Sequence, residues 1–144
     1  MKKSVYLSGP VELSRDPATW RNYVKKQLYE QYNVITPFGE FCPYSKDDQR
    51  YKDWIKEHFI IPDMNNVLIS EYFCVKLDKD LSAGTYGELT MAAFLGKDIV
   101  YFLDGIDESK LPGWIIGCFS NAKRVHSLDE IVKYYKRKYN KKEK

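Results

Sequence analysis

In the stretch SAGTYGELTMAAFLGK, Ser82 to Lys97, one acidic side chain, Glu88, stands among small and apolar residues at what reads as the start of a helix. Its position admits two kinds of chemistry. Thr85-x-x-Glu88 has the spacing of a capping box, in which the glutamate folds back to bond the amide of the capping residue. A carboxylate in the first helical turn also lies near the positive end of the helix macrodipole, which favours its ionised form. An ionised carboxylate held against a sugar is the nucleophile of covalent glycoside chemistry. From spacing alone both readings stand.

Small residues collect at two places. Ser8, Gly9 and Pro10 close the first apolar run, and Ser82, Ala83 and Gly84 lead with Thr85 into the Glu88 helix. Such residues let backbone approach a ligand closely, and the free amides of a helix N-terminus favour an anion such as a phosphate. Ser8, Gly9, Pro10, Ser82, Gly84 and Thr85 are the substrate-binding candidates on this side of the molecule. The segment SGPVELSRD lacks the Gly-Lys-Ser/Thr ending of a nucleoside triphosphate loop and the three glycines of a dinucleotide fingerprint. No GxSxG nucleophile elbow occurs. Cys42, Cys74 and Cys118 are widely separated with no CxxC pair, and His58 and His126 are far apart, so neither a metal nor a cofactor is expected.

The elements that would position these residues alternate. KSVYLS reads as a strand running into the Ser-Gly-Pro turn. A helix follows from Asp16-Pro17 to Gln31, with Trp20, Val24 and Leu28 on one stripe and Asp16 as its cap. NVITP is a second strand, and residues 38 to 50 form a long polar loop. YKDWIKEHFIIPDM reads as a helix disturbed near its end by Pro62, and VLISEYFCVKL as a buried strand. Thr85 to Leu95 is helical with Gly96 as its stop, and DIVYFL is another buried strand. Residues 104 to 122 read as irregular with a helical turn around Trp114. KRVH is an edge strand, and the final helix is capped by Ser127 with Glu130 completing a capping box. Apolar strands separated by amphipathic helices predict an α/β fold, a single doubly wound, flavodoxin- or Rossmann-like parallel sheet with helices on both faces. Ligands of such sheets bind at the carboxyl ends of the strands, where the Ser8 and Ser82 segments fall.

The chain has 144 residues, 44% apolar and 15% aromatic, which suits one domain with a proper core. No apolar run approaches the roughly 20 residues of a membrane span, and the N-terminal apolar segment is too short for a secretion signal. A cytoplasmic protein is expected. The net charge of +3 is unevenly placed: residues 133–144 hold seven basic residues and one acidic, leaving 16 basic and 19 acidic in the rest. The reading is therefore a domain over 1–132 and a basic, solvated tail over 133–144, with no specific nucleic acid as partner.

Three segments in register, VYLSGP, IIPDMNNVLIS and SAGTYGELTMAAFLGKDIVYF, resemble the nucleoside 2-deoxyribosyltransferase family, which includes the 2'-deoxynucleoside 5'-monophosphate N-hydrolases and the CMP N-glycosidases. The resemblance runs from Val5 to about Leu103. It implies that Glu88 is a nucleophile attacking C1' of the sugar to form a glycosyl ester. It implies that Tyr6 orients this carboxylate and that Asp63 stands near the base and manages its proton. Transferases acting on free nucleosides commonly carry an aspartate at the place of Ser82. A serine there resembles the monophosphate hydrolases, in which its hydroxyl contacts the 5'-phosphate. The expectation is thus cleavage of the N-glycosidic bond of a nucleoside or nucleoside 5'-monophosphate, leaning to hydrolysis. Transfer of deoxyribose between bases is one alternative, and a non-catalytic nucleotide-binding sensor another. Family members often complete the site from a neighbouring subunit. The matching region here reads KLPGWIIG, which makes Trp114 a further substrate-binding candidate and a homo-oligomer, dimer or larger, the expected assembly. The phosphoribohydrolases that activate cytokinin-type nucleotides share the Gly-Thr-x-x-Glu helix start, but the glycine run that precedes it there is absent from DLSAG.

Overall fold

Five runs of β-branched and aromatic residues pair into one sheet in the computed structural model, which describes residues 1–11, 16–37, 41–80 and 82–143. The strands are β1 (Lys3–Ser8), β2 (Tyr32–Ile35), β3 (Tyr72–Leu77), β4 (Asp98–Leu103) and β5 (Lys123–Val125). Every neighbouring pair is parallel, in the order β2-β1-β3-β4-β5. The chain leaves β1 towards one edge and returns to the other side at β3, so the switch point of this doubly wound sheet lies between β1 and β3.

Alternation along the strands sends side chains to two cores. On one face Val5, Leu7, Cys74 and Val100 meet α1 (Thr19–Leu28) and α6 (Leu128–Glu143) through Trp20, Val24, Leu28, Ile131 and Tyr135. On the other, Tyr6, Phe73, Val75, Ile99 and Tyr101 meet α3 (Ile61–Ile69), α4 (Ala83–Phe94) and α5 (Gly113–Cys118) through Val67, Leu89, Ala92 and Ile115. Because side chains two apart on a strand share a face, Tyr6 and Ser8 both point to the α4 side.

Several elements differ from the sequence expectation. α1 begins at Thr19, whose amide bonds the Asp16 carboxylate at 3.1 Å. Pro62 disturbs its helix, as its position suggests, but does not end it. α2 (Tyr51–Ile55) continues through a π-helical stretch, Lys56–Ile60, directly into α3. A proline ring clashes with the carbonyl four residues back. The wider turn, in which the Ile61 amide bonds the Lys56 carbonyl, makes room for it. α3 then runs to Ile69, so Val67, Leu68 and Ile69 are helical and β3 starts only at Tyr72. Ser70 ends the helix with its amide and hydroxyl on the Asn66 carbonyl. Part of the loop predicted over 38–50, residues 38–40, lies outside the described residues.

The basic segment over 133–144 is the clearest correction. α6 passes through residue 133 without a break and is docked rather than frayed: Tyr135 is fully buried, and Lys138 pairs with Asp98 at 2.6 Å. Lys133, Lys136, Arg137 and Lys141 are exposed on the outer face of a packed amphipathic helix. Its start matches the expected cap, with the Glu130 amide on the Ser127 hydroxyl at 3.1 Å; the Glu130 carboxylate accepts from the His126 amide at 2.7 Å. Gly96, at φ +69°, closes α4 in a Schellman motif, Lys97 amide to Ala92 carbonyl and Gly96 amide to Ala93 carbonyl. No helix among the described residues is long and apolar enough to cross a membrane.

Candidate active site

The helix that carries Glu88 starts earlier than its capping-box spacing suggests. Ser82, in extended conformation, is the N-cap, and its Oγ accepts the Thr85 amide at 3.3 Å. Thr85 is therefore inside the first turn, and Glu88 falls in the second, beyond the amides that a capping glutamate would reach. The carboxylate does not fold back on its own helix. It crosses to β1, where the Tyr6 hydroxyl donates to Oε2 at 2.5 Å and the Ser8 hydroxyl donates to Oε1 at 2.6 Å.

Glu88 is only 5% exposed and Ser8 is fully buried. Burial raises the Glu88 pKa; the Ser8 and Tyr6 hydrogen bonds and the Arg21 charge oppose it by stabilising the anion. Burial, reinforced by the Glu88 and Asp63 charges, pushes the Tyr6 hydroxyl far above its usual value, so Tyr6 remains a donor. Its ring stacks on Phe73, centroids 5.9 Å apart, which fixes the direction of the hydroxyl.

Asp63 lies in the first turn of α3, immediately after Pro62. Desolvation first, and the Glu88 charge second, raise its pKa to about 7, with Arg21 opposing. One carboxyl is thus donated to by two hydroxyls, and a second, within reach of its charge, exchanges its proton near neutrality.

Arg21 had no place in the sequence reading. It is 4% exposed, and its guanidinium donates to three carbonyls: Nε to Leu7 at 3.2 Å, Nη2 to Gly9 at 2.7 Å and Nη1 to Pro17 at 2.5 Å. Its signal was present: Arg21, Val24 and Leu28 share the helical stripe that turns inward, and a charge on such a stripe calls for a partner.

The remaining candidates divide. Gly9 is required by packing, since a Cβ there would sit 2.8 Å from the Lys76 carbonyl oxygen and 3.3 Å from Arg21 Nη2. Pro10 is buried beside it. Gly84 is exposed at the start of α4 and has open space, with only Ser82 Oγ nearby, 3.7 Å from where a Cβ would stand. Thr85 is buried. Trp114 is not brought to Glu88 within one chain: it is 72% exposed and donates from Nε1 to Thr90 Oγ1 at 3.0 Å. Thr90 stands two residues beyond Glu88 on α4, roughly 200° around a helix. An open cleft of about 400 Å³, lined by Lys79, Tyr86, Asp107, Lys110 and Leu111 among others, does not include Glu88. Leu81, beside the Ser82 cap, lies outside the described residues. Among the described residues no three His, Cys, Asp or Glu side chains gather as a metal site.

No family model and no curated protein sequence matches the chain. Solved structures do. A conserved protein from Enterococcus faecalis V583 is similar at 17% identity and a TM-score of 0.65, over 96% of this chain and 99% of that one. A CMP N-glycosidase, BcmB, from Clostridium botulinum is similar at 16% identity and a TM-score of 0.60, over 93% and 99%. A 2-deoxyribosyltransferase from Bacillus psychrosaccharolyticus is similar at 14% identity and a TM-score of 0.65, over 90% of both chains. The chain thus has the flavodoxin-like parallel α/β fold of these proteins across nearly its whole length.

Proposed function

We propose that this protein is an enzyme that cleaves the N-glycosidic bond of a nucleoside or nucleoside 5'-monophosphate through a covalent glycosyl ester on Glu88, with water as the acceptor. The observation that carries the reading is the Glu88 carboxylate bonded by Tyr6 and Ser8 at the carboxyl end of β1 instead of by its own helix amides. That two proteins of the same fold are a CMP N-glycosidase and a 2-deoxyribosyltransferase adds to it.

In this mechanism a Glu88 oxygen attacks C1' as the C1'–N bond breaks, and the bonding pair leaves with the base. Asp63, whose pKa of about 7 keeps much of it protonated at neutral pH, gives its proton to that base. Its carboxylate then takes a proton from the water that attacks C1', and the ester bond breaks to return the Glu88 carboxylate. Tyr6 and Ser8 stabilise that carboxylate before attack and after release. Ser82 and the free amides of Ala83 and Gly84 at the start of α4 supply donors for a 5'-phosphate. A cytoplasmic homo-oligomer is part of the proposal.

Transfer of deoxyribose to a second base uses the same first half-reaction and differs only in what captures the sugar. A panel of ribo- and deoxyribonucleosides and their 5'-monophosphates, each with and without a free acceptor base, separates the two by product analysis. The proposal expects free base and sugar phosphate without need of an acceptor. Products only with acceptor would make it a transferase, and tight nucleotide binding with no product would make it a sensor.

A further inference from the structure

We propose that Arg21 and Ser8 form a positioning device for Glu88, in which Arg21 fixes the peptides on either side of Ser8 and Ser8 thereby aims its hydroxyl at one oxygen of the carboxylate. The geometry is specific. The carbonyls that Arg21 holds, Leu7 and Gly9, flank the one residue whose hydroxyl reaches Glu88 Oε1. α1 and α4 pack on opposite faces of the sheet, so the end of β1 is gripped from one side by Arg21 and answers Glu88 on the other. The absent Cβ of Gly9 lets the turn close on the guanidinium, which a methyl there would approach to 3.3 Å.

The device explains a cost. A buried cation is expensive unless an anion compensates it, and Arg21 forms no ion pair among the described residues. The titratable groups that act on Arg21 are, after its own desolvation, the Tyr6 hydroxyl on β1, Glu88 on α4, Asp63 on α3 and the Cys74 thiol on β3. Arg21 thus acts on Glu88 twice, through its field and through the place it gives Ser8. With Tyr6 on Oε2 and Ser8 on Oε1, both oxygens are donated to and the carboxylate plane is set. Each oxygen keeps a lone pair for attack.

The effect on turnover rests on Glu88 being the nucleophile; the effect on its protonation does not. The test therefore reads both. The Glu88 carboxyl carbon is titrated by NMR in the unliganded wild type, Ser8→Ala, Arg21→Gln and the double variant. Ser8→Ala loses a donor to the anion, so Glu88 titrates at higher pH than in the wild type. Arg21→Gln moves it the same way, and adding Ser8→Ala to Arg21→Gln moves it little further, since the hydroxyl is then already unaimed. Where Arg21→Gln does not fold, Arg21→Lys replaces it: the cation is kept, but one ammonium does not match the fork that spans both carbonyls. In turnover, each single variant lowers kcat by about ten- to a hundredfold, the worth of a hydrogen bond to a charged group, with KM little changed. The acid limb of kcat/KM moves to higher pH. An unchanged Glu88 titration in Ser8→Ala overturns the proposal, as do simply additive effects of the two changes. A wild type without turnover, in which Ser8→Ala still shifts Glu88, overturns the glycosidase reading and leaves the positioning device standing.

Discussion

Glu88 is buried and Asp63 half-buried, and what separates the two carboxyl groups is who touches them. Glu88 has two hydroxyl donors that favour its anion, whereas Asp63 has desolvation and the Glu88 charge, which favour its acid. Glu88→Gln, nearly isosteric, should keep the fold and lose at least about a thousandfold in turnover, as expected for a nucleophile. Tyr6→Phe keeps the ring against Phe73 and removes one donor, so turnover falls by about ten- to a hundredfold. For pH, a group needed as an acid fails above its pKa. Activity should decline as pH rises through about 7, and Asp63→Asn should lose that decline along with most of the rate. Stability follows with the same sign. The folded pKa is raised above the ordinary aspartate value of 3.8, so between about 4 and 7 the native state holds a proton that the unfolded chain has released. Wild-type stability therefore falls as pH rises through that window, and urea titrations should show the dependence weakened in Asp63→Asn. Glu88, Tyr6 and Asp63 were singled out as candidates because they stand in three short motifs in register, and the structure brings the Tyr6 hydroxyl onto the Glu88 carboxylate. Arg21 was not, because its role is to hold backbone carbonyls, and carbonyls leave no mark on residue type.

At the scale of elements, the strands and their alternation with helices were readable from β-branched runs and turn residues. The boundaries that failed did so where two patterns overlap. Val67, Leu68 and Ile69 suit a buried strand by composition, yet only Val67 is buried and the other two are exposed, a helical distribution. Ser82 and Thr85, three residues apart, are both good caps, and the choice of Ser82 places Glu88 one turn deeper. Glycines test the turn after β1 against the helix after β3. Gly9→Ala drives a methyl to 2.8 Å from a backbone oxygen and should cost about 1–3 kcal/mol. Gly87→Ala, in open space within α4, should stabilise by roughly 0.5–1 kcal/mol. Chemical denaturation of the two variants reads both signs.

For the whole molecule, the charge count misled more than any motif. Seven basic residues in the last twelve read as a solvated end, but Tyr135 and Tyr139 among them continue the helical spacing of Ile131 and face the sheet. The Tyr32 hydroxyl donates to the Tyr135 carbonyl at 2.7 Å, tying α6 to the β2 edge. Tyr135→Ala should cost about 3–5 kcal/mol, the range for emptying a large aromatic site, and a chain ending at Val132 should lose cooperative unfolding. A melting temperature unchanged by that truncation would contradict the packed helix. The shared fold with a CMP N-glycosidase and a 2-deoxyribosyltransferase gives the sheet and its switch point; the reaction has to be read from the side chains on it.

The central claim is a covalent sugar on one carboxylate. Rapid acid quench of the protein with a reactive nucleoside or nucleotide, followed by peptide mass spectrometry, tests it most directly. The prediction is a glycosyl mass on the peptide carrying Glu88, absent from Glu88→Gln. Turnover by the wild type with no such adduct, and retained by Glu88→Gln, would contradict it.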